Sequence, residues 1–422
     1  MKNVIVIGGG TAGWLTALSV NKFWKDTSVT LIESSKIGIL GAGEGATPNF
    51  GAFLSLLGVN QNDFFKRTGC TSKSGLTLSN WTGDGKNSSH LFTGVKPTEF
   101  KQNYAYHFDA RMVAEYLKEI SISRGVKWID GEVDSVGRTG DDIHSISLKE
   151  GIDIKDVDFV FDCSGFARVI IGKVHNDEWI DYSKYLLLNR AMAYFLPQEN
   201  QYAIGDVTHT NMISMDSGWM WQIPLQHRWG CGYTFNSEFI TVEEAKKEVE
   251  DYIGKEITIQ KVFDFKPGTH KRSWIGNSVA IGLSYGFIEP LEATSLMSTI
   301  MQLKRLISAK FDVSLRDRFN DTCSSINEQN MMFVRYHYLA ERFDTPFWKA
   351  SYEMPIPEKL KLILDDNNNI IPKTNAELLK IFDLKEVEET ELTFFVYNYQ
   401  MIFKKNKKVS IKELIYYGKD LF

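Results

Sequence analysis

The opening residues restrict this chain more than any other stretch. A β-branched run, Asn3 to Ile7, leads directly into Gly8-Gly9-Gly10-Thr11-Ala12-Gly13 and then into Trp14-Leu15-Thr16-Ala17-Leu18. The run has the composition of a buried parallel strand, and the residues after the glycines suit a helix. In a GxGxxG turn, Gly8 permits the tight bend, Gly10 lets backbone approach a pyrophosphate, and Gly13 lets the helix pack on the strand. The helix N-terminus then offers unsatisfied N–H groups to the phosphates. A second strand, Val29 to Ile32, ends at Glu33, twenty residues past Gly13. A carboxylate there accepts ribose hydroxyls and repels a 2′-phosphate. These features together predict a dinucleotide cradle in an α/β fold. They do not separate FAD from NAD. We find no second such fingerprint in the chain.

After the cradle, Ile37 to Pro48 reads IGILGAGEGATP, too glycine-rich and too long for a simple turn. Such a segment lets backbone lie flat against a planar ligand. Ala110 to Ser123 reads as an amphipathic helix, followed by strands around 126–129 and 132–136 and an apolar strand from Phe159. From about Trp179 to Phe265 the pattern changes to short strands, including Ala191–Phe195, Gly218–Pro224 and Gly230–Phe235. This predicts an inserted antiparallel sheet. Buried-strand character returns at Ser278–Leu283 and runs into a helix over 294–310, and the remainder reads as mainly helical. The implied division is 1–175, 176–268, 269–310 and 311–422.

A chain of 422 residues suits two interlocked domains. A net charge of −5 argues against a nucleic-acid partner. The basic cluster Lys404, Lys405, Lys407 and Lys408 reads as a solvated face. The cysteines (Cys70, Cys163, Cys231, Cys323) form no CxxC pair, which points to reduced thiols with no metal site. No apolar run reaches the length of a membrane span, and the N-terminal apolar run is too short for a signal-peptide core. The expectation is a cytoplasmic protein without a membrane partner.

Beyond these readings, the chain resembles the flavin-dependent halogenases, the tryptophan-halogenase-like family. Gly218 to Pro224, GWMWQIP, is similar to the family's WxWxIP signature. Gly8 to Ala17 resembles GxGxxGWxxA, Gly43 to Pro48 its GEAT strap with one extra glycine, and Phe161 to Phe166 its DCSGF turn. Ala280 to Thr294, AIGLSYGFIEPLEAT, resembles the stretch that holds flavin and halide. His337-Tyr338 and Phe343 to Trp348 also fit. The likeness extends to about Trp348.

The resemblance implies a Rossmann-like FAD-binding domain of the flavin monooxygenase type, with an inserted antiparallel substrate sheet and a helical C-terminal region. It implies FAD used as FADH₂ supplied by a separate flavin reductase, with dioxygen and a halide ion giving hypohalous acid. Lys73, preceding Asn80-Trp81 at the family's spacing, corresponds to the catalytic lysine, and Glu292 to the catalytic glutamate. Cofactor contacts would come from Gly8, Gly10, Thr11, Ala12, Gly13, Glu33, Ala46, Val133, Leu283 and Leu296. Backbone amides of Thr294 and Ser295 would hold the halide. The resemblance places Ser295 where the tryptophan halogenases carry Gly, so chloride, bromide and iodide all stay open. Trp219, Trp221, Ile223 and Pro224 form the signature, the two tryptophans separating flavin from substrate, although either would equally suit core packing.

The acceptor would be a small electron-rich aromatic or heteroaromatic molecule, whose face stacks on aromatic side chains. Members acting on free tryptophan carry a longer helical C-terminal region, so a more open site is expected here. Homo-oligomerisation is left open. Three alternatives remain at this point: an aromatic monooxygenase on the same fold, a non-catalytic flavin-binding module, and a nicotinamide-dependent dehydrogenase.

Overall fold

A computed structural model describes residues 2–39, 43–91, 104–198 and 207–365. The strap residues Leu40, Gly41 and Ala42, the Asp365–Asn369 loop beyond its first residue, the basic cluster at 404–408 and the rest of 366–422 lie outside the described residues.

The described helices are α1 (Thr11–Phe23), α2 (Pro48–Leu56), α3 (Gln61–Arg67), α4 (Ala110–Ser123), α5 (Val242–Ile253), α6 (Thr294–Ser308), α7 (Arg316–His337), α8 (Pro346–Glu353) and α9 (Glu358–Asp365). They surround two principal sheets. The first has strands in the order Trp274–Ile275, Ser278–Ala280, Phe159–Asp162, Lys2–Ile7, Thr27–Glu33 and Lys127–Asp130. All neighbours pair in parallel except the edge strand Trp274–Ile275. Its central strand buries Val4, Ile5, Val6 and Ile7 on both faces. That is why the segment carries a continuous apolar run and no alternation.

The second sheet runs Ile259–Asp264, Arg190–Pro197, Arg228–Phe235, Gly218–Pro224, His209–Met215, Gly75–Ser79 and Asn87–Leu91. Its pairs are antiparallel except one: Gly75–Ser79 pairs in parallel with His209–Met215. The sheet thus draws strands from 190–264 and also from the segment just after Lys73. Met220, Tyr233 and Phe235 on one face pack under Ala245 and Val249 of α5. A capping box starts that helix, Thr241 Oγ1 accepting from Glu244 N and Glu244 Oε2 from Thr241 N. The other face, with Leu76, Leu78, Trp219 and Trp221, packs against Tyr338, Phe347 and Trp348.

The mixed α/β architecture, with a helical region following α6, agrees with the class expected from the sequence. The expected amphipathic helix coincides with α4, which Asp109 caps by accepting from Arg111 N at 2.9 Å. The four cysteines are buried and unbridged. Among the described residues, no helix is long and apolar enough to cross a membrane.

Candidate active site

At the glycine turn, the tight packing at Gly8 and Gly13 contrasts with open space at Gly10. Gly8 sits at φ +111°, and a Cβ there would strike the Cys163 carbonyl; one on Gly13 would strike the Gly8 carbonyl. A Cβ on Gly10 would meet nothing within 4 Å. Gly10 is also the N-cap of α1 and provides no side-chain cap, so the first N–H groups of the helix face that open space. Thr11 is buried and Ala12 half-buried in the first turn. Glu33 Oε1 accepts from Lys118 Nζ at 2.6 Å and from Trp128 Nε1 at 2.8 Å, while Glu33 Oε2 lies against Gly9. The carboxylate therefore stands beside the glycine turn. Val133 starts the strand Val133–Thr139, and Gly131 N donates to Glu33 O nearby.

The return segment closes on the same turn. A Cβ on Gly282 would lie 3.3 Å from the Ala12 Cβ, so Leu283 follows directly on the contact with the cradle. The strap reaches α6 through Thr47 and Asn49, whose side chains meet Met297 Sδ at 3.6 and 3.4 Å. Leu296 precedes that methionine, and Ala46 N donates to Tyr106 O.

Thr294 and Ser295 begin α6 and share a cleft with Gly282, Tyr285, Phe287 and Asn330. Ala293, the N-cap, gives no side-chain cap. Both Glu292 (φ +62°) and Ala293 (φ +59°) adopt left-handed backbone. Two consecutive non-glycine residues in that region are strained, and such strain concentrates at functional sites. Here it turns the chain so that the Glu292 side chain is buried while the helix N–H groups open on the cleft. Such an end attracts anions.

Lys73 ends the strand Thr71–Lys73 and is only 2% exposed. Burial pulls its amine down to about 8, and the negative charge of Glu292 acts against that shift. Two residues remote in sequence are thus close enough to interact. Gly45 of the strap covers the lysine: a Cβ there would lie 2.8 Å from Lys73 Nζ and 2.9 Å from Thr210 Oγ1. His107 Nε2 lies 2.9 Å from the same threonine hydroxyl, and burial together with the Lys73 charge holds this imidazole well below its ordinary range. Glu292 Oε1 lies 3.1 Å from His337 Nε2.

The halves of the tryptophan signature do different things. Trp219 and Trp221 are buried and meet edge to face, at 6.1 Å between centroids. Trp81 lies 6.2 Å from Trp219 and 5.3 Å from Trp348, and its Nε1 donates to His337 O at 2.8 Å. Ile223 and Pro224 instead brace the site. A Cβ on Gly43 of the strap would lie 3.5 Å from Ile223, and Pro224 O accepts from Thr71 Oγ1 at 2.6 Å, two residues before Lys73.

Sequence reasoning missed Glu289, His107 and Thr210. Glu289 is 1% exposed, and burial pushes its carboxyl up to about 8 against the Tyr338 hydroxyl and the Trp219 indole, which favour the charged form. The Tyr338 hydroxyl donates to Glu289 Oε1 at 2.9 Å. Its place three residues before Glu292 was the available signal. For His107 and Thr210, each inside an ordinary strand pattern, there was none.

Three comparisons with known proteins bear on this geometry. The sequence model of the tryptophan halogenase family matches residues 3–102 and 96–410. The chain is 29% identical to tryptophan 7-halogenase RebH of Lentzea aerocolonigenes over 430 residues, covering 86% of this chain and 81% of that protein. It is 28% identical to tryptophan 6-halogenase ThaL of Streptomyces albogriseolus, covering 86% and 81%. Among solved structures, tryptophan 6-halogenase SttH from Streptomyces toxytricini superposes with a TM-score of 0.79 at 28% identity, covering 86% of this chain and 84% of that one. BrvH, a flavin-dependent halogenase from Brevundimonas sp. BAL3, gives 0.76 at 26% identity over 100% and 99% of the two chains.

Proposed function

The chain belongs to the tryptophan halogenase family, and from that premise we propose that it halogenates an electron-rich aromatic or heteroaromatic molecule through Lys73 and Glu292. It is a flavin-dependent halogenase, and this family chemistry uses flavin and halide. The observation that carries the residue assignment is the burial of Lys73 within reach of the Glu292 charge.

Gly8, Gly10 and Gly13, with the N-terminus of α1, would hold the FAD pyrophosphate, and Glu33 the ribose. The open space beyond Gly10 supports this fit. Thr11, Ala12, Ala46, Val133, Leu283 and Leu296 complete the proposed cofactor contacts. When bound, reduced flavin with dioxygen and halide supplies hypohalous acid. The cofactor would arrive as FADH₂ from a separate reductase, a reading supported by the single dinucleotide fingerprint in this sequence. The N–H groups of Thr294 and Ser295 would hold chloride, bromide or iodide.

Lys73 meets hypohalous acid either as an ammonium donating to its oxygen or as an amine taking the halogen. Its lowered proton affinity makes both forms accessible near neutral pH. Glu292 orients the oxidant or accepts the ring proton. The wall of Trp219 and Trp221 keeps the organic substrate from the flavin. RebH and ThaL carry different ring positions in their names at nearly equal identity to this chain, so likeness to them favours neither position.

The test is a mass-spectrometric screen of indoles, phenols and pyrroles against the three halides, with a flavin reductase supplied. Lys73→Ala should abolish halogenated product while flavin binding persists, and Glu292→Gln should slow the reaction strongly. Normal product formation by either variant would remove that residue from the mechanism. Oxygenated product without halogen in all arms would favour monooxygenation.

A further inference from the structure

His337 is 2% exposed and stands at the C-terminal end of α7. Its Nδ1 lies 2.8 Å from the carbonyl oxygen of Phe333, four residues earlier in the same helix. A carbonyl oxygen only accepts, so Nδ1 carries a hydrogen. Its Nε2 lies 3.1 Å from Glu292 Oε1, and a carboxylate also only accepts. A neutral imidazole has one N–H, already used on Phe333. The second contact therefore requires one more proton than a neutral histidine and a carboxylate possess together. That proton resides on Nε2 of an imidazolium or on a Glu292 carboxyl group, and the count is the same either way.

Local packing keeps the two groups in this register. Trp81 Nε1 donates to the His337 carbonyl, and the Trp81 and Phe333 rings meet the imidazole edge to face at 6.3 and 4.8 Å. The adjacent bridge, Tyr338 to Glu289, ties the same turn to the same helix end. Lys73 acts on Glu292 from the strand side.

We propose that His337 and Glu292 form a one-proton reservoir, with His337 a positioning residue that sets the protonation of Glu292; this rests on the reading of Glu292 as the site carboxylate. Halogenation of an arene by hypohalous acid forms the carbon–halogen bond and breaks the oxygen–halogen bond. The departing oxygen leaves as water by taking one proton, and the ring carbon gives up another as its C–H electron pair returns to the ring. The reservoir supplies the first proton and Glu292 receives the second, so the pair ends each turnover as it began.

The resting proton is measured without any substrate, on the full chain. Ring-¹⁵N NMR of histidine-labelled protein at about pH 8, where an ordinary imidazole is neutral, should show both His337 nitrogens protonated. Alternatively, infrared difference spectra against Glu292→Gln should show a carboxylic-acid band belonging to Glu292. Finding neither signal overturns the proposal. His337→Gln retains an N–H donor and loses the titratable ring. It should lower kcat roughly tenfold or more while leaving KM for the best arene of the screen within about twofold. A wild-type kcat in a folded His337→Gln protein also overturns it. If Glu292→Gln halogenates normally while the resting proton is observed, the site assignment fails and the shared proton stands.

Discussion

The amine of Lys73 lies where a side chain on Gly45 would have to begin: a Cβ on that glycine falls 2.8 Å from Nζ. The strap and the lysine are therefore fitted to each other across a gap that only hydrogen can occupy. Gly45→Ala should leave the fold intact, because the atoms displaced are the ends of a flexible amine and a threonine side chain. Halogenation should fall roughly tenfold or more as Lys73 is pushed from Glu292. Wild-type turnover in this variant, measured by product mass, would show that the lysine tolerates displacement.

The buried lysine should cost stability. Its amine is held at about 8 against an ordinary 10.5. The folded state therefore binds fewer protons than the unfolded state between those values, and stability rises with pH across that window. Below about pH 8 the penalty is complete, roughly 3 kcal/mol. Lys73→Met should thus be more stable than the parent at pH 7 in urea unfolding, by an amount that shrinks toward pH 10.5, and catalytically dead. An advantage that does not change with pH would sink this account.

Glu289 should show the opposite slope. Its carboxyl is raised from 4.5 to about 8, so the folded state binds more protons than the unfolded state in between, and stability falls as pH rises through that range. Glu289→Gln copies the neutral acid against Tyr338. It should stabilise the fold at pH 7 by an amount on the order of 3 kcal/mol, growing up to about pH 8. Parallel unfolding curves from pH 5 to 8 for parent and variant would contradict it.

The glycine cradle offers a test that separates ligand from fold. A Cβ on Gly10 meets no atom within 4 Å, and its φ of −76° is open to any residue. Gly10→Ala should therefore unfold at the parent's temperature without flavin, yet bind FAD at least roughly tenfold more weakly in fluorescence titration, a loss of about 1.4 kcal/mol. Undiminished affinity would place the pyrophosphate elsewhere.

Much of this protein could be read before its structure. Asn3 to Gly13 and Glu33 encode the cradle through a local order of strand, turn, helix and strand end, which neighbouring residues settle among themselves. The apolar return strand before α6 and the amphipathic α4 were legible for the same reason, each burial pattern lying in its own residues, although the strand stops at Ala280 and a 3₁₀ turn takes Gly282–Ser284. The motif residues Lys73, Glu292, Trp219 and Trp221 could be picked out by resemblance.

Their arrangement could not. Gly75–Ser79 pairs in parallel with His209–Met215, and a pairing between strands so far apart in sequence leaves no periodic trace in either. Ser74 N donates to Thr208 O at the head of that pairing, next to Lys73, whose own strand pairs with Ala105–Phe108 and whose amine feels Glu292 in a distant turn. The turn itself takes two left-handed residues, Glu292 and Ala293, where a sequence reader would look for glycine or asparagine. The shared proton of His337 depends on two acceptors meeting one ring from a helix and a loop, and the neutrality of Glu289 depends on burial supplied by several elements. Short-range patterns determined which elements exist; the charges, tautomers and contacts of the site were decided by tertiary packing, because the local dielectric and hydrogen-bond partners of a side chain are properties of its neighbours in space.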